Sequence, residues 1–245
     1  MLVSMNGQNI TNKTKKDEVI GALLLDYASG ALASPLEVLV ETHISLNAAS
    51  ARQLRILMQL GGILLEECEP VSLSEGALEA VMAEIDALDK KDEQDLADER
   101  TMQDNVVAFR PAAQASSSVA NLPRPLADYI PDLTCEKSWR RISKGLSQCR
   151  IQFNGSDVEA NIYRIAPGTS IPVHSHEGTE VTLVLSGGFT DETGSFGPGD
   201  IAIQETGATH QPVADDDGEC IVFAINEGNI RLANPIGRVL SYLVN

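Results

Sequence analysis

Three of the chain's four histidines fall in two short stretches, with a glutamate between them. Residues 168–187 read GTSIPVHSHEGTEVTLVLSG, and residues 199–210 read GDIAIQETGATH. His174 and His176 are two apart, and the apolar flanks, Ser170–Val173 and Val181–Leu185, predict strand. In a strand, residues two apart share a face. The turn at Glu177-Gly-Thr lets Glu180 open the next strand, where hairpin pairing would bring it to the same pocket. His210 arrives from a later strand. Three imidazoles and one carboxylate facing one cavity make a donor set for zinc, manganese, iron or nickel. A lone histidine pair is more often surface or core than ligand, but three of four histidines in one pattern argue for a metal group.

Those donors need a scaffold, and 245 residues suffice for one or two domains, each with its own core. The net charge of −17 argues against direct nucleic-acid binding, which needs a basic face. It suits masking a basic surface on a protein partner. No apolar run reaches the roughly 18 residues of a membrane span, and no signal peptide is legible, so a soluble cytoplasmic protein is expected. Cys68, Cys135, Cys149 and Cys220 are scattered without a CxxC pair and read as reduced thiols.

Residues 1–16 are polar, without periodicity, and read as disordered. Asp17 is a plausible N-cap for a helix carrying Val19, Ile20, Leu23, Leu24 and Tyr27, which Gly30 stops. Ser34-Pro35 signals a second helix with Leu36, Leu39, Val40, Ile44 and Leu46 at helical spacing. A third runs from about Ser50 to Glu67, and a fourth, signalled by Ser74, carries the stripe Leu78, Val81, Met82 and Ile85. That stripe either closes the bundle, the preferred reading from periodicity alone, or docks on a partner. A helical domain over 17–88 is expected, then a charged and Ala/Ser-rich linker over 89–121, then a second domain over 122–245. In that second domain the period changes to two. Many short strands with Gly/Pro punctuation, including 137–143, 148–153 and 158–165, predict an antiparallel sandwich or barrel.

The pattern Gly168-x5-His174-x-His176-x3-Glu180-x6-Gly187 resembles the first cupin motif in every spacing. The second motif is looser: Gly199, Gly207 and His210 fit, while Glu205 replaces the usual Pro and Ala214 a frequent Asn. The resemblance implies an all-β cupin, a double-stranded β-helix or jelly-roll barrel, with metal held by His174, His176, Glu180 and His210, zinc before manganese, iron or nickel. The whole chain is similar to a narrower family, the ChrR-type anti-sigma factors, in Leu24–Gly30, Thr42–Leu46, Leu60–Glu67, Pro70–Glu75, Glu180–Leu185, Phe189–Thr193 and Gly199–Ile201. That resemblance implies a small all-α domain that binds an extracytoplasmic-function sigma factor, joined to a cupin that senses stress.

Two departures stand out. The family's helical domain holds zinc through His-x3-Cys-x2-Cys and an earlier His. Here the run is His43, Asn47 and Ser50, with Lys15-Lys16 before it. Asn and Ser supply neither thiolate nor imidazole, so this domain is expected to fold without zinc, with His43 as a hydrogen-bonded helix residue. The family also carries a late Cys-x-Cys. This chain has Cys220 but Val222, so Cys220 is either a redox-active thiol near the cavity or a small buried apolar residue. Two functions follow: a regulator that releases a sigma factor when its metal-binding cupin is perturbed, without catalytic residues, or a metal-dependent dioxygenase-like cupin enzyme with an accessory helical domain.

Overall fold

The structure, a computed structural model, describes residues 3–88, 122–127, 129–130, 133, 135–153, 158–226, 228 and 230–232. The expected linker over 89–121 and the apolar segment 239–243 lie outside these residues. The chain divides into two compact units, residues 1–63 with 117–245, and residues 64–116.

In the first unit, α1 (Val3–Ala28) begins well before the expected cap at Asp17, so the polar stretch before Asp17 is helical from Val3 onward. Gly30, at φ 69°, ends it, a conformation that costs a residue without a Cβ little. Helix α2 (Ser34–Leu46) has Pro35 in its first turn, where a missing N–H costs nothing, and Ala33 rather than Ser34 at the cap. Asn47 closes α2 by donating its backbone N–H to His43 O. It then opens α3 (Ala48–Glu66), its Oδ1 accepting from Ala49 N and Ser50 N, each at 3.1 Å.

Twelve short strands follow among the described residues: β1 (Arg140–Ser143), β2 (Leu146–Ile151), β3 (Glu159–Ile165), β4 (His174–His176), β5 (Glu180–Ser186), β6 (Phe189–Asp191), β7 (Gly194–Phe196), β8 (Ile201–Gln204), β9 (Thr209–His210), β10 (Val213–Ala214), β11 (Cys220–Asn226) and β12 (Ile230–Leu232). They form a six-stranded sheet, β1-β2-β3-β11-β5-β8, and two three-stranded sheets, β10-β6-β7 and β12-β4-β9. Every pairing is antiparallel, so the fold is the β-sandwich that the period-two pattern predicts. Along β11 the side chains alternate between two cores. Ile221, Phe223 and Ile225 pack outward with Val38 and Leu39 of α2 and with Leu126 of a short helix, α5 (Arg124–Ala127). Cys220 and Val222 pack inward with Phe189, Phe196 and Val184. The outer face of the large sheet is thus covered by α2, which sets α2 against the β7–β8 turn.

In the second unit the helix spans 77–88 (α4), and Leu78, Val81, Met82 and Ile85 are 44–66% exposed, so their stripe closes no core within that unit. Leu64, Leu65, Val71 and Leu73 are exposed as well.

Candidate metal centre

His174 and His176 occupy the ends of β4, their side chains on one face, as their spacing predicts. Strand β9 lies beside β4 with His210 opposite His174. Glu180 comes from a different sheet. Strands β4 and β5 do not pair; Glu180 is flanked by Gln204 on β8 and Asn226 on β11. Facing sheets, rather than the expected hairpin, bring the carboxylate to the imidazoles. All four side chains are buried and offer donor atoms within 4.8 Å of one another. Among the described residues no other group of three or more His, Cys, Asp or Glu does so.

The hydrogen bonds around the group assign its protons. His174 Nδ1 lies 2.8 Å from Pro172 O, and a carbonyl only accepts, so the proton is on Nδ1 and Nε2 carries a lone pair. His210 Nδ1 faces Asp191 Oδ2 at 3.4 Å, which gives the same tautomer. The two Nε2 atoms are then 3.0 Å apart with lone pairs opposed, an arrangement that a shared cation stabilises. His176 Nε2 is 3.1 Å from His210 Nε2 and 3.3 Å from Glu180 Oε2. Metal–nitrogen bonds of about 2.1 Å place donors roughly 3.0–3.4 Å apart around one ion, so the spacing fits a divalent metal.

The electrostatics agree. Burial, followed by the neighbouring imidazoles, lowers the pKa of His174 and His176 to about 4, so both are neutral donors at pH 7. Burial raises Glu180 to about 7, against the pull of His210 and with the help of Asp191. A carboxylate sealed from water among neutral rings recovers its ordinary acidity when a cation sits beside it.

Asp191 is the functional residue that sequence reasoning passed over. It stands in the Phe189–Thr193 stretch that carries family resemblance, but no motif spacing ties it to the histidines. Its side chain is fully buried. Oδ2 faces His210 Nδ1 and accepts from Gln204 Nε2 at 2.9 Å, while Oδ1 accepts from Thr193 N, Thr193 Oγ1 and Gly194 N. Burial pushes its pKa up, but these bonds outweigh burial and hold it below the usual 3.8. It is an ionised anchor that orients His210.

Cys220 lies at the start of β11, whereas Asn226, at the other end, is the neighbour of Glu180. Six residues of strand are roughly 20 Å. Cys220 is fully buried, and burial, with Asp215 adding, pushes its thiol up to about 12. These observations support the packing role over the reactive thiolate.

His43 is 1% exposed and hydrogen-bonded through both ring nitrogens. Its Nδ1–H donates to Gly199 O at 2.8 Å, and Nε2 accepts from Ser50 Oγ at 2.8 Å. Burial lowers its pKa below 6.5, against the Gly199 bond, which raises it. Lys16, beyond α1's midpoint, donates to Asp200 Oδ1 at 2.8 Å.

Comparison with known proteins bears on the whole arrangement. The family described as the ChrR cupin-like domain matches residues 133–229. The anti-sigma-E factor ChrR of Cereibacter sphaeroides is 36% identical over 218 residues, which cover 89% of this chain and 92% of that protein. A crystal structure of Rhodobacter sphaeroides SigE in complex with the anti-sigma ChrR matches with a TM-score of 0.63 and 34% identity, over 84% of this chain and 96% of the matched one.

Proposed function

The chain belongs to the ChrR-type anti-sigma factors, and from that premise we propose that it sequesters an extracytoplasmic-function sigma factor and releases it on a stress signal received at a metal-holding cupin. The family is one of regulators, so the dioxygenase-like alternative falls away. The division of labour is helices over 17–88 for the sigma factor, a linker over 89–121 and a jelly-roll cupin over 122–245 for the signal.

The observation that carries the reading is the apolar surface left uncovered. In α4 and the segment before it, Val71, Leu73, Leu78, Val81 and Met82 are each at least half exposed. Burying one such side chain contributes about 1.5–3 kcal/mol, so a protein that leaves a run of them in water has another surface to cover them. An amphipathic helix with neighbours of this kind suits a groove or helix pair on a partner. The net charge of −17 complements a partner that itself carries a nucleic-acid-binding face.

His174, His176, Glu180 and His210 would hold the metal, and zinc is the ion proposed, because three imidazoles and one carboxylate suit its nitrogen and oxygen donor preference. A bound ion would supply the positive charge on which these four donors, drawn from two sheets, converge. The protein's own residues do the rest: Pro172 O and Asp191 fix the tautomers, and the buried walls exclude water from Glu180. Release needs a stimulus that binds or alters one state in preference to the other.

The test is capture of the sigma factor encoded beside this chain in its genome, by the full chain and by Leu78→Asp/Met82→Asp. Tight capture by the natural chain, lost in the double variant while its circular dichroism is unchanged, supports the reading. No capture by the natural chain overturns it. Elemental analysis of the purified chain at one zinc per molecule supports the metal assignment, and manganese, iron or nickel in its place corrects it.

A further inference from the structure

One short strand touches both the metal group and the helices. Gln204, the last residue of β8, donates to the Asp191 oxygen that faces His210, and it stands opposite Glu180 in the β5–β8 ladder. The turn that leads into β8 holds the helices: Gly199 O accepts from His43 of α2, and Asp200 Oδ1 accepts from Lys16 of α1. That turn has no slack. Gly199 sits at φ 83°, and a Cβ there would stand 3.2 Å from Leu46 Cβ and 3.2 Å from Leu46 O. Asp200 Oδ2 also accepts from Gly197 N at 3.0 Å, closing the turn on itself. Three residues lie between Asp200 and Gln204, a span of four steps or roughly 13 Å of strand, with Ile201 and Ala202 buried in the two cores.

We infer that β8 couples the metal group to the docking of α1 and α2, with Asp191 and Gln204 as positioning residues at one end and the Gly199-Asp200 turn as the output at the other. The coupling has a discrete origin. With a cation in place, His174 and His210 direct their Nε2 lone pairs at it and His210 keeps its Nδ1–H for Asp191. When the cation leaves, nothing holds the two Nε2 lone pairs 3.0 Å apart, and the rings relax away from each other. A swing of His210 weakens or removes its bond to a fully buried carboxylate. The Asp191 oxygen facing His210 then rests on Gln204 alone, and the end of β8 follows. This inference deepens the sigma-release reading, and its biological consequence rests on it, but the coupling itself does not.

The experiment is hydrogen–deuterium exchange on the full chain, zinc-loaded and after chelation, without any sigma factor. Chelation is expected to speed exchange over 34–50 and 197–204 by roughly threefold or more, with 146–151 unchanged. Gln204→Met keeps the length and packing of the side chain and cuts the amide link, so the response over 34–50 falls by about half or more. Should that variant fail to fold or to hold zinc, Asp200→Asn, at the partly exposed far end, reports the same loss. The inference is overturned if chelation leaves 34–50 unchanged in the natural chain, or if the folded variant responds as the natural chain does. Sigma capture is read separately, so either idea can fail while the other stands.

Discussion

The molecule presents histidine in two buried settings, and they behave oppositely. Around His43 every polar atom finds a complement: Nδ1–H meets a carbonyl, Nε2 meets a hydroxyl, and Asn47 spends its oxygen capping α3. Around His176 the complements are missing. Two imidazoles are committed by their Nδ1 protons to point lone pairs at each other, and His176 Nδ1 has no hydrogen-bond partner among the described residues. The first setting is complete as protein, and the opposed Nε2 lone pairs of the second are matched by a cation. Residue type and burial do not separate the two. What separates them is the group that faces the second nitrogen of each ring.

The comparison can be broken most decisively at the metal. His176→Ala is expected to weaken zinc binding by on the order of 100-fold or more, read by competition against a chromophoric chelator, whereas His43→Ala, which acts only through the turn before β8, changes it by less than about tenfold. Loss of zinc in His43→Ala would erase the distinction. Acidification comes next. The folded pKa of His174 and His176, about 4, lies below the unfolded 6.5, so their stabilising contribution is present above pH 6.5 and lost as pH falls toward 4. In metal-free protein Glu180 opposes this, because its folded pKa of about 7 exceeds 4.5 and its contribution is lost as pH rises through 7. With zinc bound, protons compete at all the donors in one direction. The fall in Tm between pH 7 and pH 5 is therefore steeper with zinc than after chelation, and equal slopes would refute a metal shared by these ligands.

Smaller effects sharpen the helical side. His43→Ala strands the Gly199 carbonyl and the Ser50 hydroxyl, and should cost about 1–3 kcal/mol in urea melts without changing zinc content. Asn47→Ala removes the cap of α3 and should cost about 1 kcal/mol, with Asn47→Asp retaining most of the stability.

Much of the site was legible because its signals are local. His174 and His176 sit on one strand, two apart, and apolar flanks announce that strand whatever its neighbours are. The absence of thiolates at Asn47 and Ser50 is likewise plain from the residues alone. The misses share a cause in sequence separation. Helix α1 begins at Val3 although the polar stretch before Asp17 lacks an apolar stripe. The α4 stripe has the periodicity of a core face, and periodicity cannot say whether the covering surface belongs to the same chain.

The sequence by itself determined the inventory: four donors in cupin spacing, no zinc ligands but a histidine in the helices, and strands that must alternate between two faces. The tertiary structure decided how those atoms are used. Glu180 meets the histidines across two sheets, Asp191 and Pro172 choose the tautomers, and Gly199, 156 residues from His43, gives that imidazole a hydrogen-bond partner. A lone pair's direction depends on whichever group faces the other ring nitrogen, and only folding brings those two together.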